Sequence, residues 1–309
     1  MQATSTLSKK DQAKMQKLRL KASRRDQYKR YTRTRGGNAI YTIILLLFGA
    51  FSILPMIYCI ITSFKPLDEL LIFPPKFYVV NPTVESYTTL PSLLDNLAVP
   101  LSRYAFNSVF ISVVTTFLHV IVASMAAYVL AKTDIKGKKV IFALVQFSLL
   151  YNAYTLEVPR YLIYSAFRMI DTYWIYILPA IPSSMGVFLM KQFMDTNVPD
   201  ALIEAARIDG AREMRIWLRI VMPNVKPAWL TLTIFTFQAA WNSTGSSFIF
   251  DEELKMLPVA IAQIVASSSV ARMGVAMAST VFLMLPPIVL FVVSQSQVIQ
   301  TMAHAGIKE

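Results

Sequence analysis

Six long stretches of uncharged, mostly apolar residues alternate with shorter polar segments along this chain. The first holds 27 residues and would extend about 40 Å as a helix, which exceeds the ~30 Å hydrocarbon core of a bilayer. Such stretches predict membrane-spanning helices. The predicted spans are about 38–64, 104–131, 140–156, 172–190, 228–250 and 273–299. The fold class predicted is therefore an all-α membrane protein with six transmembrane helices.

Prolines interrupt two of the predicted spans. Pro179 and Pro182 lie in the fourth, and Pro286 and Pro287 lie near the middle of the sixth. The backbone groups that a proline frees must find partners in neighbouring helices or in a wet cavity, because the bilayer core holds no water.

The composition agrees with a membrane protein. Hydrophobic residues make up 55% of the chain and charged residues 16%, whereas an average soluble protein has about 25% charged residues. The net charge of +12 belongs mainly to residues 1–37, which carry +10 of it. This segment is predicted to be a basic cytoplasmic arm that lies against anionic lipid and not a nucleic-acid-binding domain. Residues 38–309 are predicted to form the transmembrane domain.

The charges of the loops predict the orientation of the spans. Residues 132–139 contain four lysines and residues 191–227 contain six basic residues, whereas residues 251–253 are all acidic. Positively charged loops tend to stay in the cytoplasm. Both termini and the loop between spans four and five are therefore predicted to be cytoplasmic. Residues 65–103, which are rich in proline, are predicted to form an irregular external lobe.

The loop between spans four and five contains signals for two short helices. Pro199 suits the first position of a helix, Asp200 favours its N-terminal dipole, and Gly210 suits the left-handed position just after its end. Two alanines in this helix leave one side thin, which permits close docking into a groove. A second helix is predicted over Ala211–Met222, stopped by Pro223. Its predicted apolar face consists of Met214, Trp217, Leu218 and Val221. An interfacial helix would explain the second helix but not the first.

The spacing of this loop resembles a known motif. Glu204, Ala205 and Ala206 are followed after three residues by Gly210, then after nine by Ile220, and after two more by Pro223. This pattern resembles the EAA loop of binding-protein-dependent ABC importer permeases, in which Met222 would usually be Leu. Three further segments resemble the carbohydrate-uptake (maltose-type) branch of that family: residues 103–108, residues 171–174 and the pair Trp241-Asn242. After Trp241-Asn242 the family often has an acidic or aromatic residue, whereas this chain has Ser243.

The resemblance implies a transport subunit that works in a complex. Its partners would be a second permease subunit, two ATP-binding subunits and an extracytoplasmic solute-binding protein, in a bacterial or archaeal cytoplasmic membrane. The chain lacks a phosphate-binding G-x-x-x-x-G-K-[ST] loop, so ATP and Mg would be bound by the partner subunits, and this chain would be neither an enzyme nor a cofactor protein. The residues expected to couple it to the ATPase are Glu204, Ala205, Ala206, Asp209, Gly210, Ile220 and Pro223.

Two other classes remain open at this point. A secondary transporter places ionisable groups in its spans for ion coupling, and His119 is the one such candidate, although a lone His more often forms a hydrogen bond between helices. A membrane enzyme needs clustered acids or histidines, and the chain has only His119 and His304. Uncharged polar residues in the spans predict either bonds between helices or a path for a hydroxyl-rich solute. These candidates are Gln146, Asn152, Gln238, Asn242 and Thr244, and no metal site is predicted.

Overall fold

The computed structural model describes residues 35–95, 99–150, 157–243, 248–266 and 273–306. These residues form helices and connecting segments, with no strand among them. The α-helices are α1 (Arg35–Ser63), α2 (Leu67–Leu70), α3 (Glu85–Asp95), α4 (Leu101–Lys132), α5 (Lys138–Ser148), α6 (Glu157–Ala166), α7 (Trp174–Ile177), α8 (Ser184–Asn197), α9 (Asp200–Ile208), α10 (Glu213–Ile216), α11 (Met222–Asn224), α12 (Lys226–Trp241), α13 (Leu257–Ala266) and α14 (Met273–Gly306). Short 3-10 turns occupy Leu178–Ala180 and Glu252–Leu254, and a π-helical turn occupies Trp217–Val221.

Four segments of the described ranges are long and apolar enough to cross a membrane. They are Gly37–Ser63, Leu101–Lys132, Trp174–Asn197 and Met273–Gln295. They match the first, second, fourth and sixth predicted spans. The predicted basic arm lies outside the described residues, apart from the first turn of α1.

The third and fifth predicted spans are shorter helices in the structure. Helix α5 ends at Ser148 after 11 residues, and residues 151–156 lie outside the described ranges. Helix α12 has 16 residues and ends at Trp241, so the prediction of a helix to residue 250 is wrong. At the predicted end of the span, the Asp171 carboxylate accepts the backbone N–H groups of Phe250 at 2.6 Å and Asp251 at 3.0 Å. Those N–H groups cannot also bond within a helix.

The chain divides into two compact units, Met1–Tyr58 and Cys59–Glu309. In the first unit, the large apolar side chains of α1 are exposed, for example Leu46, Phe48 and Phe51. This is the pattern of a helix whose surroundings are hydrocarbon rather than water.

The core of the second unit forms around helix α4, which packs against α8 and α12, while α14 packs against α12. Small or hydroxyl-bearing residues line the buried side of α4 and let its neighbours approach closely; among them are Ser108, Ser112, Thr116, Ala123, Ser124 and Ala127. A Cβ atom added to Gly186 would lie 2.8 Å from His119 Nε2, so this glycine allows α8 to lie against the imidazole. His119 Nδ1 is bonded to the Ala180 carbonyl at 2.8 Å, which confirms that His119 joins two helical segments.

The fourth span is broken near its middle. Pro179 and Pro182 cannot donate backbone hydrogen bonds, and between α7 and α8 the chain passes through the 3-10 turn Leu178–Ala180. Helix α8 then starts afresh, with the Ser183 hydroxyl accepting the N–H of Gly186 at 3.1 Å. It continues to Asn197, seven residues beyond the predicted end of the span.

Residues 103–108, one of the segments that resemble the carbohydrate-uptake branch, form hydrogen bonds with the acidic segment that follows α12. Asn107 is fully buried. Its side-chain amide donates to the carbonyl oxygens of Glu253 at 2.8 Å and Lys255 at 2.9 Å, and its amide oxygen accepts the Tyr173 hydroxyl at 2.8 Å. The Asn107 side chain thus connects α4 with the segment that follows α12 and with Tyr173, which precedes α7.

Candidate functional site

Helix α9 has a defined start and a defined stop. Pro199, predicted as the first helical position, is instead the N-cap, and the helix begins one residue later at Asp200. Gly210 has φ +74°, the left-handed conformation predicted for it. The N–H of Gly210 bonds the Arg207 carbonyl and the N–H of Ala211 bonds the Ala206 carbonyl, both at 3.0 Å. These two bonds close the helix end as a Schellman motif, in which glycine avoids the penalty of a Cβ.

The start of α9 is anchored to the end of α4 by a buried lysine. The Lys132 side chain is only 4% exposed. Its ammonium donates to the Val198 carbonyl at 2.6 Å and to Asp200 Oδ1 at 2.7 Å. This donated bond holds the pKa of the Asp200 carboxyl below its ordinary value. Since a depressed pKa adds stability above the unfolded value of about 3.9, the contact persists at neutral pH and weakens only as the pH falls through the folded-state pKa.

The end of α9 is anchored to the same helix by a second charged group. Arg207 donates from Nη2 to the Lys132 carbonyl at 3.1 Å and from Nε to Glu213 Oε1 at 2.8 Å. Glu213 also accepts the Tyr128 hydroxyl. The guanidinium of Arg207, followed by the Tyr128 hydroxyl, lowers the pKa of the Glu213 carboxyl. Arg207 therefore connects the last carbonyl of α4, the end of α9 and the start of α10.

The two sides of α9 have different surroundings. Ile203 and Ala206 are buried in the cluster formed with α4, α8 and α12. Leu202, Glu204 and Ala205 are exposed, and Ile208, shortly after them, is 85% exposed. The prediction that both alanines form one thin docking side is thus corrected: Ala206 is small because it packs inward, and only Ala205 is free to meet another molecule.

The segment after α9 departs from the predicted second helix. Pro223 was predicted to stop it, but helical structure continues through Pro223 to Asn224. Because Pro223 has no N–H to give to the preceding turn, the turn Trp217–Val221 widens into a π-helix, and Asn224 Nδ2 donates to the Ile220 carbonyl at 2.7 Å. Of the predicted apolar face, Trp217 and Val221 are buried whereas Met214 and Leu218 are exposed. Ile216 is buried in addition.

A cavity of about 590 Å³ lies between α4, α6, the broken fourth span and α12. Its lining includes Thr115, His119, Arg160, Tyr176, Phe235 and Phe248. Thr115 Oγ1, His119 Nε2 and the Tyr176 hydroxyl are buried and have no hydrogen-bond partner among the described residues. A buried polar atom without a partner costs roughly 1–3 kcal/mol. These three atoms are covered by the protein, so they can meet a molecule in the cavity only if their side chains turn toward it.

Comparison with known proteins identifies the chain. Protein LplC of Bacillus subtilis (strain 168) is 31% identical over 219 residues, which cover 68% of this chain and 69% of that protein. The melibiose/raffinose/stachyose import permease protein MelC of the same organism is 31% identical over 212 residues, covering 67% of this chain and 76% of MelC. This chain belongs to the permease family of ABC sugar importers.

Further matches agree with this family. The arabinooligosaccharides transport system permease protein AraQ of Bacillus subtilis (strain 168) is 29% identical over 276 residues, covering 87% of this chain and 97% of AraQ. A bacterial ABC transporter involved in the import of the acidic polysaccharide alginate has a subunit of the same fold, with a TM-score of 0.71, 22% identity and coverage of 86% of this chain and 98% of that one. No protein-family model matches the chain. Membership of an ABC permease family favours ATP-driven transport over the secondary-transporter and enzyme alternatives.

Of the polar residues predicted to line this permease's translocation path, the three that the structure describes do not line the cavity. Gln146, Gln238 and Asn242 are exposed on the surface of the chain, and Asn152 and Thr244 lie outside the described residues. The cavity instead uses polar groups that the sequence analysis left out, such as Thr115 and Tyr176, because a hydroxyl in an apolar stretch is as common in helix contacts as in binding sites. Arg160 was missed because it lies between two predicted spans.

The lysine anchor of the permease gives a testable prediction. Replacing Lys132 with Met keeps the length of the side chain but leaves the Val198 carbonyl and the Asp200 carboxylate without their donor. We expect a loss of about 1–3 kcal/mol in the free energy of unfolding, because each group loses a bond that it cannot replace fully with water. The measurement is the thermal unfolding midpoint of the purified protein in detergent.

Lys138→Met is the matched control for that variant. Lys138 donates at 3.2 Å both to the Thr133 carbonyl and to Asp134, whose side chain is fully exposed. An exposed pair of this kind contributes roughly 0.5 kcal/mol or less. Equal midpoints for the two variants would show that Lys132 does not anchor α9.

Proposed function

We propose that this permease is one of two membrane subunits of an ATP-driven oligosaccharide importer and that helix α9 couples it to an ATPase subunit. The observation that carries the proposal is the two-sided character of α9. One side is bonded and packed into the helical core, and the other presents Leu202, Glu204, Ala205 and Ile208 without cover from the described chain. A short helix with exposed apolar side chains suits a groove on a partner protein.

The geometry supports a mechanical role for α9 rather than simple attachment. Lys132 and Arg207 fasten both ends of α9 to α4. The side chains of Ile203 and Ala206 pack in a cluster shared with α4, α8 and α12. A displacement of α9 by a closing ATPase therefore moves three helices together, α4, α8 and α12, all of which also line the cavity. Packed helices transmit such a displacement because they compress little.

The proposal includes the topology and the assembly of the importer. We place both termini, the basic arm of residues 1–37 and the 197–223 loop in the cytoplasm, with six crossings of the inner membrane, on the basis of the lysine and arginine distribution. The partners are a second permease subunit, two ATPase subunits that bind ATP and Mg, and an extracytoplasmic solute-binding protein. The oligosaccharide substrate is supported by relatives named for arabinooligosaccharides and for melibiose, raffinose and stachyose.

Cysteine labelling tests the proposal. In a Cys59→Ala background, single cysteines replace Glu204 on the exposed side of α9 and Asp251 in the acidic segment. We expect a membrane-impermeant maleimide to label Asp251→Cys in intact cells and Glu204→Cys only after the membrane is opened. Binding of the ATPase subunits should then protect Glu204→Cys from the reagent.

The control for this labelling is Thr196→Cys, an exposed position at the end of α8 that lies off α9. It should share the sidedness of Glu204→Cys but remain reactive when the ATPase is bound. Labelling of Glu204→Cys from outside would overturn the topology. Protection of neither position would contradict docking of the ATPase on α9.

A further inference from the structure

We propose that the cavity is a subsite for an acidic saccharide in this subunit itself, and that Arg160 binds the carboxylate of the sugar. The inference rests on the proposed importer function and adds to it the chemical class of the solute and the place where this chain contacts it. Four side chains carry the argument: Arg160, Thr115, Tyr176 and Phe248, all of which line the cavity.

Size and lining fit a saccharide. The volume of about 590 Å³ lies within the range of small-molecule sites, roughly 300–1,000 Å³. Phe235, Tyr164 and Phe248 supply aromatic walls, and the rings of Tyr164 and Phe248 meet edge to face with centroids 5.7 Å apart. The C–H faces of a pyranose are apolar and lie well against such rings.

Two hydroxyl groups in the cavity need partners. Thr115 is 1% exposed and Tyr176 is 9% exposed, and neither hydroxyl has a hydrogen-bond partner among the described residues. A hydroxyl can both donate and accept. Sugar hydroxyls have the same double capacity. Because both oxygen atoms are almost wholly covered by the protein, each side chain must turn toward the cavity to bond a saccharide.

Arg160 indicates that the saccharide is acidic. It lies in the first turn of α6, is partly buried, and forms no ion pair with the carboxylates whose side chains the structure describes, which do not include Glu157 of the same turn. An arginine that lines a cavity and has no carboxylate beside it among the described side chains is available to an anionic ligand. The planar guanidinium binds a carboxylate through two parallel hydrogen bonds, which a neutral sugar cannot match.

The test measures saccharide binding to the purified permease–ATPase complex in phosphatidylcholine nanodiscs, without the solute-binding protein. The probes are digalacturonate and its dimethyl ester, which share one carbon skeleton but differ in charge. A saturation-transfer NMR titration gives the dissociation constant of each. We expect digalacturonate to bind the wild type about 10- to 100-fold more tightly than the ester, as a charge-assisted hydrogen bond implies.

Three variants make the test specific. Arg160→Gln should weaken the binding of digalacturonate by the same 10- to 100-fold and leave the binding of the ester unchanged, since the guanidinium and the carboxylate act on each other. Thr115→Val should weaken both probes, by about 2- to 10-fold. Arg168→Gln is the matched control, because Arg168 lines a neighbouring surface groove but not the cavity, and it should change neither value.

Several outcomes would overturn the inference. Equal binding of acid and ester, or equal weakening of both by Arg160→Gln, would remove the carboxylate contact. Digalacturonate binding that disappears when phosphatidylglycerol is included in the nanodiscs would assign Arg160 to a lipid headgroup. None of these results bears on the proposed importer function. That proposal depends on ATPase docking at α9 and is contradicted separately if the ATPase does not protect Glu204→Cys.

Discussion

The Gly210→Val permease is expected to insert into the membrane at normal levels and to lose most of its ATPase subunits. Gly210 has φ +74°, and a Cβ placed on it would meet no atom within 4 Å. The penalty is therefore conformational and not steric. A left-handed conformation costs an L-residue about 1–2 kcal/mol, and a β-branched residue more. Valine should thus open the Schellman end of α9 and displace its exposed side.

The measurement is the amount of ATPase that co-purifies with the permease, together with solute-stimulated ATP hydrolysis in proteoliposomes. We expect both to fall about tenfold or more, since 1.4 kcal/mol corresponds to a factor of ten. Gly210→Asn is the conservative variant, because asparagine tolerates the left-handed region, and it should retain most of the activity.

Gly137 provides a matched control for this experiment. It also has a positive φ, +82°, and also has open space around its Cβ position, but it precedes α5 and not α9. Gly137→Val therefore introduces the same strain away from the coupling helix and should leave ATPase retention unchanged. If Gly210→Val retained its ATPase as well as Gly137→Val does, α9 would not be the coupling element.

Ala205→Trp and Ala206→Trp are expected to fail in different ways although they are neighbours. Ala205 is exposed, so a tryptophan there should leave the fold intact and block docking of the ATPase, with at least a tenfold loss of retention. Ala206 is 8% exposed and packs in the core cluster. A tryptophan there has no room and should destabilise the protein by about 3 kcal/mol or more, because overpacking forces the surrounding helices apart.

These variants are separated by measuring the folded amount and the ATPase retention independently. Fluorescence-detected size-exclusion chromatography should show a single peak for Ala205→Trp and a reduced, aggregated profile for Ala206→Trp. Thr196→Trp, on an exposed position of α8, controls for an added surface tryptophan and should behave as the wild type. A well-folded Ala206→Trp protein that only lacks its ATPase would place Ala206 on the docking side after all.

The local features of this permease could be predicted from its sequence because they depend on neighbours in the chain. Gly210 ends α9 since its backbone conformation is decided within one helical turn. Four of the predicted spans match helices that can cross a membrane, because length and hydropathy are local properties. His119 could be predicted to join helices, since a lone polar group in a span needs a partner.

Only the tertiary structure decides which side of a helix is buried in the core and which is exposed. Ala205 and Ala206 are equivalent in the sequence motif, and only the position of α4 makes one of them core and the other surface. The backbone at Phe250 and Asp251 is held by the distant Asp171 and is not helical. The chemistry of the cavity depends on Arg160 of α6, which lines it together with Tyr176 of α7. Packing joins residues that are far apart in the chain, and no local pattern records such contacts.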